Sequence, residues 1–190
     1  MKRALLIGNP RQISELKAIM PLANYQAIGT TSNGIEALRL LHRLEPELVI
    51  MTWDVLGLSA FDLLQNITDQ RLCPVIVTVS QEDTDALPDI IKADPHYVLI
   101  QPLRAFELVT AVFYSENRFL KEREILKKIS RLEDDLKARK LYYQALLTVI
   151  QKTGYEEKVA YRKIQQYAMS QRKSLSSVAM EIIKGHWLPE

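Results

Sequence analysis

QALLTVIQKTGYEEKVAYRKIQQYAMSQRKSLSSVAMEII occupies positions 144–183 and reads as three short helices separated by compact breaks. Thr153-Gly154 ends the first, because glycine enters the left-handed cap without a Cβ clash. Glu156 and Glu157 stand in the first turn of the second helix, where carboxylates meet the positive end of its dipole. Ala160, Ile164, Tyr167 and Ala168 then recur at helical spacing and predict one buried face. The chain breaks again around Lys173-Ser174, with Ser174 as N-cap, and Leu175, Val178, Ala179 and Ile182 predict a third apolar stripe. Small side chains at Ala145, Ala160, Ala168 and Ala179 allow the helices to approach closely.

Working outward, no glycine or proline interrupts the chain from Ala105 to Thr153. A helix of that length exceeds what a globular domain usually holds. Within it Ile125, Ile129, Leu132 and Leu136 follow four-three-four spacing, and the register runs on less regularly through Arg139, Tyr143, Leu146 and Ile150. Charges of both signs lie between them. The pattern predicts a coiled-coil seam and a parallel or crossed homodimer, against the plainer reading of a helix packed on its own domain.

Residues 1–115 alternate strands and helices. Ala4–Ile7, Tyr25–Thr31, Leu48–Trp53, Val75–Val79 and Tyr97–Ile100 read as strands. Helices are predicted near Ile13–Met20 and over Gly34–Leu44, Phe61–Thr68 and Asp85–Lys92. The alternation points to an α/β fold, a doubly wound parallel sheet with helices on both faces. The expected domains are 1–115, a linker helix over 116–143, and a helical domain over 144–190.

Two family resemblances attach to these patterns. Ala145, Ala160-Tyr161 after an acidic helix start, Ala168-Met169, Leu175 and Val178-Ala179 resemble the ANTAR domain, the RNA-binding antitermination module of bacterial response regulators. The chain departs from that family at Leu146-Leu147, where Lys-Gly is usual, and at Val159, which replaces an acidic residue. Asn33–Leu38, Pro46–Met51, Pro74–Val77 and Tyr97–Pro102 resemble a two-component receiver domain. That likeness implies the flavodoxin-like (CheY-like) fold with strand order 2-1-3-4-5.

A working receiver holds Mg²⁺ on an acidic pair after the first strand and phosphorylates an aspartate ending the third. It also places a hydroxyl after the fourth strand and a lysine after the fifth. On the matched positions this chain carries Gly8 and Asn9, Thr52, Val79 and Gln101. Thr78, one residue off, points to the other side of its strand. Asp54 is a conceivable displaced acceptor, or simply an exposed loop carboxylate. The expectation is a pseudo-receiver that kept the fold and lost phosphoryl transfer. The same losses resemble the amidase-operon members of the ANTAR family, which a ligand-sensing partner protein governs. Trp53, Val55, Leu56 and Leu58 after the third strand then form either a protein-binding surface or a cover over the lost metal site.

Composition narrows the classes further. The chain has 190 residues, 47% of them hydrophobic, and a formal net charge of +2. Residues 1–115 hold 9 Lys+Arg and 13 Asp+Glu, whereas 116–190 hold 16 and 10. Only the C-terminal part is suited to a polyanion. A single cysteine, Cys73, excludes a disulfide framework and a zinc-ligand set. No run is long enough to span a bilayer and no secretory leader is evident, so a cytoplasmic protein without membrane contact is expected. No cofactor is implied. His42, His96 and His186 are scattered and no nucleophile–base set appears, which disfavours an enzyme, and His186 and Trp187 are expected to pack the tail.

RNA loops are read through stacking on aromatic planes and through phosphate contacts. Arg162, Lys163, Arg172 and Lys173 are expected to meet phosphates and Tyr161 to stack on or frame a base, while Tyr167 belongs to the core. The family mechanism implied is a dimer holding paired hairpins of a nascent leader, so that the terminator hairpin cannot form. Two rival classes remain: a DNA-binding response regulator with a helix-turn-helix, and a protein-interaction scaffold without nucleic acid.

Overall fold

The computed structural model describes residues 1–189, which divide into two compact units, Met1–Arg123 and the segment from Glu124 onward. In the first unit, β1 (Lys2–Ile7), β2 (Tyr25–Thr31), β3 (Leu48–Thr52), β4 (Val75–Val79) and β5 (Tyr97–Ile100) form one parallel sheet in the order β2-β1-β3-β4-β5. Helices α1 (Pro10–Ile19), α2 (Gly34–Leu44), α3 (Ala60–Gln70) and α4 (Leu87–Lys92) connect the strands, and α5 (Ala105–Thr153) follows β5. The order is the one the receiver resemblance implied. The expected helix over Asp85–Lys92 starts later, since Thr84–Ala86 forms a 3₁₀ turn before Pro88 at the second helical position.

Both faces of β1, β3 and β4 are buried, so these strands read as continuous apolar runs. Leu5, Ile7, Val49, Met51, Val75, Val77 and Val79 pack with α2, α3 and α4. Ala4, Leu6, Leu48, Ile50 and Ile76 pack on the other face with Ile13 and Leu16 of α1 and Leu108, Ala111 and Val112 of α5. Side-chain oxygens start the helices: Asn9, Asn33 and Ser59 accept backbone N–H groups of α1, α2 and α3. Cys73 is buried, and burial pushes its thiol up to about 12, so it is inert.

His96, immediately before β5, is 5% exposed. Its Nδ1 accepts the Val75 N–H at 3.1 Å, and its ring meets Phe119 of α5 edge-on. Its Nε2 lies 3.5 Å from Glu122, which in turn accepts from Arg118 Nε at 2.8 Å. Desolvation lowers the His96 pKa, opposed by Glu122 and assisted by Arg118. A histidine kept neutral in the native state binds fewer protons than the unfolded chain. Its contribution is therefore complete above the unfolded value of about 6.5 and is lost as pH falls toward the lower native value. Urea unfolding of the first unit is expected to weaken from pH 7.5 to 5.5, and His96→Asn should flatten that dependence while lowering stability at pH 7.5.

The second unit contains the C-terminal part of α5, α6 (Glu157–Ser170) and α7 (Leu175–Ile183). Gly154, at φ 72°, turns the chain after α5, and Ser174 caps α7 by accepting the Ser177 N–H. Ala145, Leu146, Val149, Ala160, Ile164, Ala168, Val178, Ala179 and Ile182 form its core. Tyr167 packs against that core and stacks on Trp187 with ring centroids 3.8 Å apart.

Three expectations need correction. Leu175, placed in the apolar stripe of α7, is 38% exposed, because it stands in the first turn before the helix reaches the core. His186 is exposed and does not join Trp187 in packing the tail. The heptad register does not continue as an exposed seam, since Leu146 and Ile150 turn into the unit's own core. Among the described residues, no helix is long and apolar enough to cross a membrane.

Candidate nucleic-acid interface and the altered receiver site

Parallel pairing brings the receiver-site positions to one edge of the sheet. Gly8 follows β1, Thr52 ends β3, Val79 ends β4 and Gln101 follows β5. Gly8 and Thr52 are in intimate contact: a Cβ built on Gly8 would stand 2.2 Å from Thr52 Oγ1 and 2.6 Å from its Cγ2. Thr52 is fully buried, and its hydroxyl donates to the Asp54 carbonyl at 3.3 Å. The space between the first and third strands that an acidic pair and an acceptor carboxylate would share is filled by these atoms.

Neutral groups occupy the rest of the edge. Val79 is buried with Val75 and Val77, while Thr78 lies on the opposite face, as strand alternation requires. The Gln101 carboxamide donates to Thr78 Oγ1 at 3.5 Å and accepts from Gln12 Nε2 at 3.4 Å. Gln12 and Thr78 were not among the positions expected to matter; no motif marks Gln12, and only folding carries α1 beside the end of β5. Asp54 is exposed, with the Asn9 amide 3.4 Å from its carboxylate. Among the described residues, no three carboxylate, histidine or cysteine side chains converge to hold a metal ion.

The loop after β3 is pinned to the start of α2. The Leu56 N–H donates to Ser32 and its carbonyl accepts from Gly34, both at 2.8 Å. Trp53, Val55 and Leu58 pack on the core beneath α2 and α3, whereas Leu56 remains 63% exposed. Three of the four apolar side chains are therefore a cover, and Leu56 alone faces outward.

In the second unit the expected contact residues fall into two groups. Tyr161 and Arg162 of α6 are exposed, with Lys158 and Gln165 on the same face by helical spacing. Gln165 Nε2 donates to the Tyr161 hydroxyl at 2.9 Å. Lys163 projects elsewhere, with its ammonium 5.1 Å from the centre of the Tyr155 ring. Arg172 and Lys173 belong to the turn between α6 and α7, Arg172 being exposed in a left-handed conformation at φ 51°. Lys173 pairs with Glu181 at 2.6 Å, and that hydrogen bond holds its ammonium above the usual lysine range. Lys173 is thus committed to a contact within its own unit.

Ile125, Ile129, Leu132 and Leu136 are 55%, 45%, 61% and 65% exposed on α5. Four large apolar side chains are thus exposed in one helical stripe, at the positions where a dimer seam was expected.

Comparison with known proteins bears on both units. The ANTAR domain family matches residues 130–183. The "Transcriptional regulatory protein PdtaR" of Mycobacterium tuberculosis is 25% identical over 170 residues, covering 90% of this chain and 83% of that protein. The "Aliphatic amidase regulator" of Pseudomonas aeruginosa is 28% identical over 110 residues, covering 57% of this chain and 56% of that protein. Among solved structures, the receiver domain of a modulated diguanylate cyclase from Desulfovibrio desulfuricans G20 aligns with a TM-score of 0.59 at 19% identity, covering 64% of this chain and 98% of that one. A receiver domain protein from Clostridium thermocellum aligns with a TM-score of 0.54 at 21% identity, covering 66% and 99%. At those identities the alignments establish the fold of the first unit alone. Residues 130–183 are an ANTAR domain, and the chain joins it to a response-regulator receiver fold.

Proposed function

We propose that the chain is a transcription antiterminator that grips hairpins of nascent leader RNA as a homodimer. The observation that carries this reading is the ANTAR match over 130–183, on a helical unit whose Tyr161, Arg162 and Arg172 are exposed. Arg162, Lys163, Arg172 and Lys173 would contact phosphates, with Tyr161 against a loop base. The seam Ile125, Ile129, Leu132 and Leu136 would join two copies, so that paired hairpins are held together. Bound hairpins favour one RNA fold over the terminator by mass action, and no covalent chemistry is required.

The receiver-like unit, 1–115, then acts as a handle controlled by a partner protein or ligand instead of by phosphorylation, with 116–143 as linker and 144–190 as the RNA-binding domain. Gly8, Asn9, Thr52, Val79 and Gln101 supply no carboxylate to hold Mg²⁺ or to accept a phosphoryl group, and the Gly8–Thr52 contact supports that view.

A gel-shift comparison of hairpin RNA with duplex DNA tests the reading. RNA affinity is expected to fall steeply with rising salt, through counterion release. Replacing Arg162, Lys163 and Arg172 together by alanine should reduce the salt slope by roughly two to three. Preference for duplex DNA, or hairpin binding indifferent to salt, would remove the proposal.

A further inference from the structure

A cavity of about 530 Å³ opens beneath the first unit, where the N-terminal ends of β1 to β4 meet α5. It lies at the opposite end of the sheet from Gly8, Thr52, Val79 and Gln101. Leu72 and Leu120, 51% and 59% exposed, give it apolar walls, with Phe119 nearly buried between α5 and the sheet. Glu116 of α5 also lines it, and that side chain keeps 20% of its exposure. Lys2 and Tyr25 both donate to Glu116 Oε1, at 2.6 and 2.5 Å. Burial and the adjoining carboxylate push the Tyr25 phenol up, so it stays a donor to that oxygen. Among the described residues nothing donates to Oε2, and that atom is not sealed from solvent.

We propose that this cavity binds a neutral small molecule with an apolar body and one N–H or O–H donor, which pairs with Glu116 Oε2. The volume falls in the range of small-molecule pockets, roughly 300–1,000 Å³. The lining charges select against ions: Lys2, Arg3 and Arg123 stand against Glu45, Glu47 and Glu116, three of each sign. An ammonium would find Glu116 already paired and would be repelled by Lys2. A carboxylate would be repelled by Glu116. It would also find the Arg3 guanidinium engaged with the Leu44 and Glu45 carbonyls at 3.3 and 3.0 Å. An uncharged donor meets neither obstacle and gains a charge-assisted hydrogen bond in a site largely shielded from water. Its apolar body covers Leu72 and Leu120, which the chain itself leaves open. Glu116 and Leu120 belong to α5, whereas Lys2 and Leu72 border the sheet, so an occupant ties the helix to the sheet. It thereby stabilises the folded unit by mass action. The regulatory consequence rests on the reading of this unit as a handle under partner or ligand control; occupancy itself does not depend on RNA being the target.

Indole and 1-methylindole, similar in shape but differing in the N–H donor, are titrated into the full chain by calorimetry and by leucine-methyl resonances. Indole should bind about tenfold more tightly than 1-methylindole. It should shift the methyls of Leu72 and Leu120 and leave those of Leu56 and Leu136 in place. Glu116→Gln keeps an oxygen for Lys2 and Tyr25 but puts an amide NH₂ where Oε2 stood, so that a donor faces a donor. The preference for indole should then vanish while 1-methylindole binding is unchanged, circular dichroism confirming the fold. The two-probe comparison on the native chain needs no substitution. Equal affinity for the two probes, a preference that survives Glu116→Gln, shifts confined to other leucines, or no saturable binding would each overturn the assignment. None of these outcomes touches hairpin affinity, which the gel shift decides separately.

Discussion

Gly8→Ala is expected to destabilise the first unit by about 3 kcal/mol, a large effect for adding one methyl group. The added Cβ would lie 2.2 Å from Thr52 Oγ1, well inside any tolerable contact. Thr52 cannot easily yield, because it is fully buried at the end of a central strand. Thr52→Ala removes Oγ1 and Cγ2, leaving its own Cβ at 3.0 Å. The double variant should therefore recover the part of the loss due to the clash, while the strain of a side chain at the Gly8 φ of 155° remains, and the coupling should be evident in urea unfolding. Additive effects would show that the clash relaxes elsewhere. The same contact bears on phosphorylation. Acetyl phosphate or beryllofluoride with Mg²⁺ should neither modify the native chain nor change its association. A stable acylphosphate at Asp54 would overturn the pseudo-receiver proposal.

The second large effect concerns the exposed stripe of α5. Ile129→Asp combined with Leu132→Asp is expected to convert a dimer into a monomer in sedimentation equilibrium. Because these side chains are 45% and 61% exposed within their own chain, the substitutions should change the stability of the single chain little. Their cost falls on association, where two carboxylates per helix would face each other across an apolar seam. Affinity for an RNA carrying two hairpins should drop by roughly 10²–10⁴, to the level of a single hairpin, through loss of effective concentration. Monomers binding tandem hairpins as tightly as the native chain would exclude the dimeric grip. A native chain that is already monomeric would exclude the seam itself.

The fold was legible because each level of the sequence agreed. Apolar runs such as Leu48–Met51 and Val75–Val79 announced buried parallel strands, and Ser174 marked a helix start that the structure caps as expected. Boundaries were less exact where local chemistry intervened, as at the 3₁₀ turn before Pro88. The receiver-site positions could be located from order and spacing, but their contacts could not. The pressing of Thr52 on Gly8 and the bridging of Gln12 to Gln101 arise between elements distant in sequence. Periodicity also cannot say which partner a helical face meets. Leu136 and Leu146 share one heptad register, yet the first is exposed and the second buried in its own bundle. For the same reason Tyr142 escaped notice: it lies in a long helix, and only folding sets its ring against Tyr161.

The inward turn of Leu146 and Ile150 leaves only a short exposed stripe. From Ile125 to Leu136 it spans about three helical turns, and so little apolar surface would make a modest joint between two copies. On the proposed reading, pairing would then respond to how much protein the cell holds and to any partner that gathers or separates the copies. Such a joint would behave as an abundance gauge: sparse copies read through few leaders, and crowded ones read through many.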